Sequence, residues 1–176
     1  ENALYVRNSL VPSSYHKGFR VIRRHNADNI KVTCALSENF DAWPEKTSYE
    51  ETTITTAAGE WKVSSYAYIE DVGVDGSRGL RASSSNSSYL TLPNFDEQIC
   101  FIRVKAKNTS GYFRDLYVTC SNGRGVSASI PSETNQFETF YVIAPSGGKN
   151  YQLHVGYSLI IDDLEIWTVP KEEAAE

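Results

Sequence analysis

The chain has 176 residues, a formal net charge of -5, three cysteines and no methionine, a length suited to one domain with a real core rather than two. Charged residues make up 22% and are spread along the sequence, so no basic stripe is offered to phosphates and nucleic acid is not an expected partner. No apolar run approaches the roughly 18 residues of a membrane span, and Cys34, Cys100 and Cys120 form neither a CxxC pair nor a dense disulfide framework, which leaves zinc and dithiol redox chemistry without support.

Residues 1–33 differ from the rest. ENALYVRNSL lacks the charged-then-apolar order of a signal peptide, and the absence of an initial Met reads as a processed or excised piece. VPSSYHKG is turn-like, and RVIRRHNADNIKV holds the one local concentration of positive charge. We expect an N-terminal extension or the tail of a preceding domain here, with a boundary near residue 33.

From residue 34 to 170 short β-branched and aromatic runs alternate with Gly, Ser, Asn and Pro clusters, the rhythm of a sandwich. YEETTITT, EWKVSSYAYIED and SSYLTLP are the first candidate strands. In ICFIRVKAK, Cys100, Ile102, Val104 and Ala106 share the apolar parity, opposite Phe101, Arg103, Lys105 and Lys107. In GYFRDLYVTC, Leu116, Val118 and Cys120 oppose Phe113, Asp115 and Tyr117, and SNGRG follows as a turn. VSASI, FETFYVIAP and YQLHVGYSLIIDDLEIWTV complete about eight or nine strands. The expected fold is all-β, a two-sheet antiparallel β-sandwich of jelly-roll type, followed at 171–176 by a polar tail or linker.

Abundant Tyr, Ser and Thr suit an extracellular or cell-surface β protein. Catalysis finds little support: His16, His25 and His154 are scattered and neither GxSxG nor HExxH occurs. A carboxylate pair for glycoside hydrolysis remains the weaker, glycan-active enzyme reading. Cys100 and Cys120 share a parity and form a bridge only if their strands are neighbours in register; buried free thiols are the other reading.

The last strand, LIIDDLEIW, places two acids in an apolar run. Parity puts Asp162 with Leu164 and Ile166 on the core side and Asp163 with Glu165 and Trp167 on the wet side. A buried carboxylate needs a partner. Backbone N–H groups at a strand end, or an arginine such as Arg81, are one answer.

ENFDAWP, the GEW strand, DGSRGLRAS and LIIDDLEIW, in that order, resemble the galactose-binding-like β-sandwich modules of secreted, Bacteroidetes-type polysaccharide-processing proteins, over roughly residues 35 to 169. Gly18, Phe19 and Arg20 in LYVRNSLVPSSYHKGFRVIRR resemble the closing strand of formylglycine-generating-enzyme-like domains. The first resemblance implies a non-catalytic carbohydrate-binding module that targets an attached secreted or surface protein to glycan, with polysaccharide or oligosaccharide and neighbouring domains as partners. It also implies a structural Ca²⁺ held by Asp162 and Asp41, with Glu38 close by and backbone carbonyls filling a set of six to eight oxygens at about 2.3–2.6 Å.

Sugar binding asks for aromatic faces flanked by polar groups. Tyr66 and Tyr68 share the parity of Lys62 and Glu70 and give two rings about 7 Å apart along a strand. Arg103, Tyr117 and Trp167, with Phe101, Phe113 and Asp115, lie on the wetter parity and are expected to line a groove across one sheet. Packing against loops is the competing role for each ring. Trp61 and Trp43 are assigned to the core and its edge. The rival class is a spacer or protein-interaction sandwich, marked by a flat charged face.

Overall fold

The computed structural model describes residues 32–84 and 88–169; the N-terminal extension, the GFR resemblance and the C-terminal tail lie outside them. Thirteen strands occur among the described residues: β1 (Thr33–Glu38), β2 (Thr52–Thr56), β3 (Gly59–Val63), β4 (Ala67–Glu70), β5 (Gly79–Ala82), β6 (Tyr89–Thr91), β7 (Gln98–Asn108), β8 (Arg114–Cys120), β9 (Gly123–Arg124), β10 (Ala128–Ile130), β11 (Glu138–Ile143), β12 (Gln152–Val155) and β13 (Leu159–Val169). They make two antiparallel sheets. One runs β11-β7-β13-β5-β4 with β1 also on β13; the other runs β10-β8-β12-β6-β3-β2 with β9 on β8. EWKVSSYAYIED, read as one strand, is divided between the sheets as β3 and β4, and the final run, read as one strand or two, is divided as β12 and β13.

Alternation packs the space between the sheets. Ile102, Val104 and Ala106 of β7 meet Leu116 and Val118 of β8 and Leu153 and Val155 of β12 in one apolar cluster. Trp61 is fully buried and Trp43 nearly so, their rings 5.3 Å apart, with Phe40 edge-on to Trp43 at 4.9 Å. Removing a core ring of this kind costs about 3–5 kcal/mol.

Two bulges between β7 and β13 break the alternation there, because an extra residue shifts every later side chain to the other face. In β7 the pairing slips between Trp167↔Phe101 and Thr168↔Ile99, so Ile99 takes the core position expected for Cys100. Cys100 and Cys120 also sit in different sheets, and all three thiols are free.

The second bulge lies between Asp162 and Glu165. Ile161 pairs Ala106 on the core side, so Asp162, opposite Lys105, faces away from the core. Asp163 takes a left-handed φ of 46° and its carboxylate meets Lys105 Nζ at 2.6 Å. Both acids thus face the outer side, contrary to strict alternation. The bulge falls where β13 changes neighbour, from β5 at Ile160 and Ile161 to β1 from Leu164 to Thr168.

Asp162 fills the gap between those two neighbours and is nevertheless buried. Its Oδ2 accepts from Val74 N–H at 2.8 Å and Ser77 O–H at 2.9 Å, and its Oδ1 from Asp163 N–H at 2.7 Å. It therefore anchors the β4–β5 connection to the last strand. Gly73 permits the approach, since a Cβ there would lie 2.5 Å from Asp162 Oδ2. Arg81, the other partner considered, is bound to Glu70 instead. Burial pushes the Asp162 carboxyl up against the three hydrogen bonds, which hold it down.

β7 and β13 each run 11 residues, about 35 Å at roughly 3.3 Å per residue. Thr33 and Thr168 are paired at one end of this length. The connections after β7, β10 and β12 and those before β2 and β4 gather at the other.

Candidate functional site

The loops at that second end are stitched together by backbone bonds: Ser83 N–H to Tyr66 O, Ser158 N–H to Ala82 O, Thr109 N–H to Ser158 O and Glu133 N–H to Ser110 O. Among the described residues, five of the six most exposed large apolar side chains stand on them. Tyr112 is 73% exposed, Tyr49 68% and Phe113 63%, with Tyr157 and Tyr66 beside them; Val126 stands in the β9–β10 connection. A ring that solvent reaches on its face is the feature a sugar needs, because its C–H surface packs there.

The rings are held by polar groups beneath them. Lys46 is buried, and its ammonium donates to the carbonyls of Ser48, Ser64 and Ala67 at 2.9, 3.1 and 2.8 Å. Lys46 also bridges Ile69 through the backbone. These bonds pin the segment carrying Tyr49 to the start of β4, where Tyr49 meets Tyr66 and Tyr68 edge-on, each at 5.8 Å. Burial holds the Lys46 ammonium below the ordinary lysine range.

On the other side of this end, Asn108 is fully buried and its amide donates to the carbonyls of Tyr112, Ile130 and Pro131. Its carbonyl accepts from Ser110. This network shapes the 109–113 loop and one wall of a pocket of about 300 Å³ lined by Lys107, Asn108, Thr109, Glu133, Thr134 and Asn135. Lys107 lies over the Phe137 ring at 5.0 Å. Arg114 lies over both Tyr112 at 5.7 Å and Tyr157 at 5.4 Å. The pocket is polar, lined by hydroxyl and amide groups, and lies beside the exposed rings.

The expected binding residues are distributed over three surfaces rather than one groove. Tyr66 and Tyr68 reach the ring-bearing end, although Tyr68 is buried beneath Tyr49 with Arg81 4.9 Å from its centroid. Arg103 and Trp167 lie on the outer face of the β7–β13 sheet. There Arg103 pairs Glu165 at 2.7 Å, while Trp167 stacks on Phe101 and donates to Glu165 at 2.9 Å. Tyr117 lies on the outer face of the opposite sheet. His154 stacks on one side of its ring at 4.6 Å, and the Arg124 guanidinium covers the other at 3.6 Å. Both faces are filled, so no sugar ring stacks on Tyr117 in this arrangement.

His154 is held neutral by burial first and by Arg124 second, and its Nε2 is 3.0 Å from Thr119 Oγ1. The acids nearest basic groups are paired: Glu70 with Arg81, Asp71 with Arg78, Asp163 with Lys105 and Glu165 with Arg103.

The residues proposed for Ca²⁺ are hydrogen-bonded within the chain: Asp41 accepts from Asn39 and from Arg78 N–H, Glu38 from Phe40 N–H, and Asp162 from Val74 N–H, Ser77 O–H and Asp163 N–H. No group of three or more His, Cys, Asp or Glu among the described residues is placed to hold a metal.

Sequence reasoning missed Tyr49, Tyr112 and Tyr157. Each stands in a connection rather than in an alternating strand, so parity has nothing to say about them; the available signal was aromatic residues beside Ser, Gly and Asn in turn-rich segments.

No protein-family model matches the sequence, and no curated protein is similar to it. Among solved structures the chain is similar to the endo-1,4-β-D-xylanase 10B of Clostridium thermocellum, crystallised as CBM22-1 and GH10 modules with xylohexaose. That likeness has 14% identity and a TM-score of 0.46 over 76% of this chain, which spans 28% of that one. It is also similar to the carbohydrate-binding module CBM6cm-2 of Cellvibrio mixtus lichenase 5A, in complex with cellotriose, at 10% identity and a TM-score of 0.42 over 80% of this chain and 100% of that one. The C-terminal CBM6 of the laminarinase LamC of Zobellia galactanivorans gives 9% and 0.40 over 78% and 99%. At such low identity these likenesses extend no further than the β-sandwich.

Proposed function

We propose that this β-sandwich is a non-catalytic carbohydrate-binding module of a secreted or cell-surface protein, and that it meets its polysaccharide or oligosaccharide with the loop end. The observation that carries this reading is the gathering of Tyr49, Tyr66, Tyr112, Phe113 and Tyr157 on one end of the molecule, beside a polar pocket. Thr33, the first residue of β1, and Thr168, the last but one of β13, are paired at the opposite end. An attached domain would then be tethered near glycan at raised local concentration.

Affinity electrophoresis through gels containing common plant and algal polysaccharides tests the reading. The folded protein should be retarded by at least one of them. Tyr112→Ala and Tyr157→Ala should each weaken retention about tenfold, equivalent to about 1.4 kcal/mol, while Trp167→Ala, on a sheet face, should not. Absence of retardation on every gel by a folded protein would favour the spacer or interaction module, a reading supported by the paired charges Arg103–Glu165 and Lys105–Asp163 on one sheet face.

A further inference from the structure

We propose that Arg114 makes the loop end a reader of negatively charged saccharides, those carrying a carboxylate or a sulfate ester; the inference rests on the loop end being the glycan site. The five arginines of the described residues divide into two sets. Arg78, Arg81 and Arg103 are each paired with a carboxylate. Arg114 and Arg124 have no acid partner among the described residues and lie over tyrosine rings instead. Arg124 belongs to the sheet face, where it covers Tyr117 and donates to Ser127. Arg114 stands at the loop end, between Tyr112 and Tyr157.

Its orientation is built from below. Arg114 Nε donates to Ser110 Oγ at 3.2 Å, and Ser110 is bound in turn to the carbonyl of the fully buried Asn108. Nε is the one guanidinium nitrogen so engaged, and the two Nη groups meet no acceptor among the described residues. A planar fork with free Nη hydrogens, fixed by one bond and two rings, matches the paired oxygens of a carboxylate or sulfate. A lysine would supply charge without that geometry.

Lys107 adds a second cation, at the wall of the adjoining pocket, and it too has no carboxylate partner among the described residues. Glu133 in the same pocket and the exposed Asp115 oppose them. The net charge of -5 over the whole chain acts weakly at this site, because exposed charges beyond about 8–10 Å are screened at physiological salt.

Isothermal titration with matched polymers decides the matter: polygalacturonate against its carboxyl-reduced form, and a sulfated galactan against its desulfated form. An acidic member should bind at least tenfold more tightly than its neutral partner, and the pair that shows the preference identifies carboxylate or sulfate as the group read. Arg114→Gln, shown by its melting curve to be folded, should erase the preference; Arg114→Lys should restore only part of it; Glu133→Gln should strengthen binding of the acidic member. Equal binding within both pairs, or a preference that survives Arg114→Gln, overturns the inference. If the neutral members bind equally well and Tyr112→Ala abolishes that binding, the glycan reading stands and this one falls; if no member of either pair binds, this inference falls and the gel survey decides the glycan reading.

Discussion

Truncating Asp162 to alanine tests the hydrogen-bonded account of the last strand. The change leaves the N–H groups of Val74 and Asp163 and the hydroxyl of Ser77 without their acceptor. A buried donor left unsatisfied costs about 1–3 kcal/mol, less where water enters, and removal of the carboxylate also relieves the burial that raises its pKa. We expect a net loss of about 2–4 kcal/mol for Asp162→Ala, a fall in Tm of about 6–12 °C at roughly 3 °C per kcal/mol. Asp162→Asn should fall between the two proteins, because its carbonyl can serve Val74 and Ser77 while its amide opposes the Asp163 N–H.

The pH dependence has a definite sign. The folded carboxyl titrates above its ordinary value of 3.8, so its contribution is full below that value and is lost as pH rises through the folded pKa. The advantage of the native protein over Asp162→Ala, measured by denaturant unfolding, should therefore be larger near pH 4 than near pH 7. Calcium and chelator should leave Tm unmoved in both proteins. A Tm for Asp162→Ala within about 1 °C of the native value, or a Tm raised by added Ca²⁺, would show that the three hydrogen bonds do not hold the last strand, since the first corresponds to only about 0.3 kcal/mol.

Two further outcomes follow from single contacts. Gly73→Ala places a Cβ against Asp162 Oδ2 and the Arg78 carbonyl and should cost about 1–3 kcal/mol; an unchanged denaturation midpoint would mean that the 73–78 segment is not seated on Asp162. His154, held below its ordinary 6.5 by burial and then by Arg124, contributes stability that is present above that value and lost as pH falls through the folded pKa. Arg124→Ala should raise its pKa in an NMR titration, and an unaltered titration would remove Arg124 as a cause.

What could be read without coordinates was whatever depends on residue parity within an unbroken strand. Leu116 and Val118 are in the core as alternation requires, as are Ile102, Val104 and Ala106, and Trp61 and Trp43 are buried. Each bulge ends the validity of the rule. One moved Cys100 off the core parity and gave its place to Ile99; the other turned Asp162 to the outer side. A bulge is stabilised by what lies beside the strand, here a change of neighbour from β5 to β1 and a loop that supplies donors, and neither is local in sequence.

The same division separates the ring-bearing end from the expected groove. The all-β sandwich and the apolar strand faces are legible in the chain, because a period of two residues is a local property of the extended backbone. Tertiary pairing places Tyr117 and Trp167 on opposite sheets with their rings already stacked. It also decided that Tyr49, Tyr66, Tyr112, Phe113 and Tyr157, drawn from separate connections, share one end. Loops converge through sheet order and register, which arise from long-range pairing, and no spacing along the chain encodes that convergence.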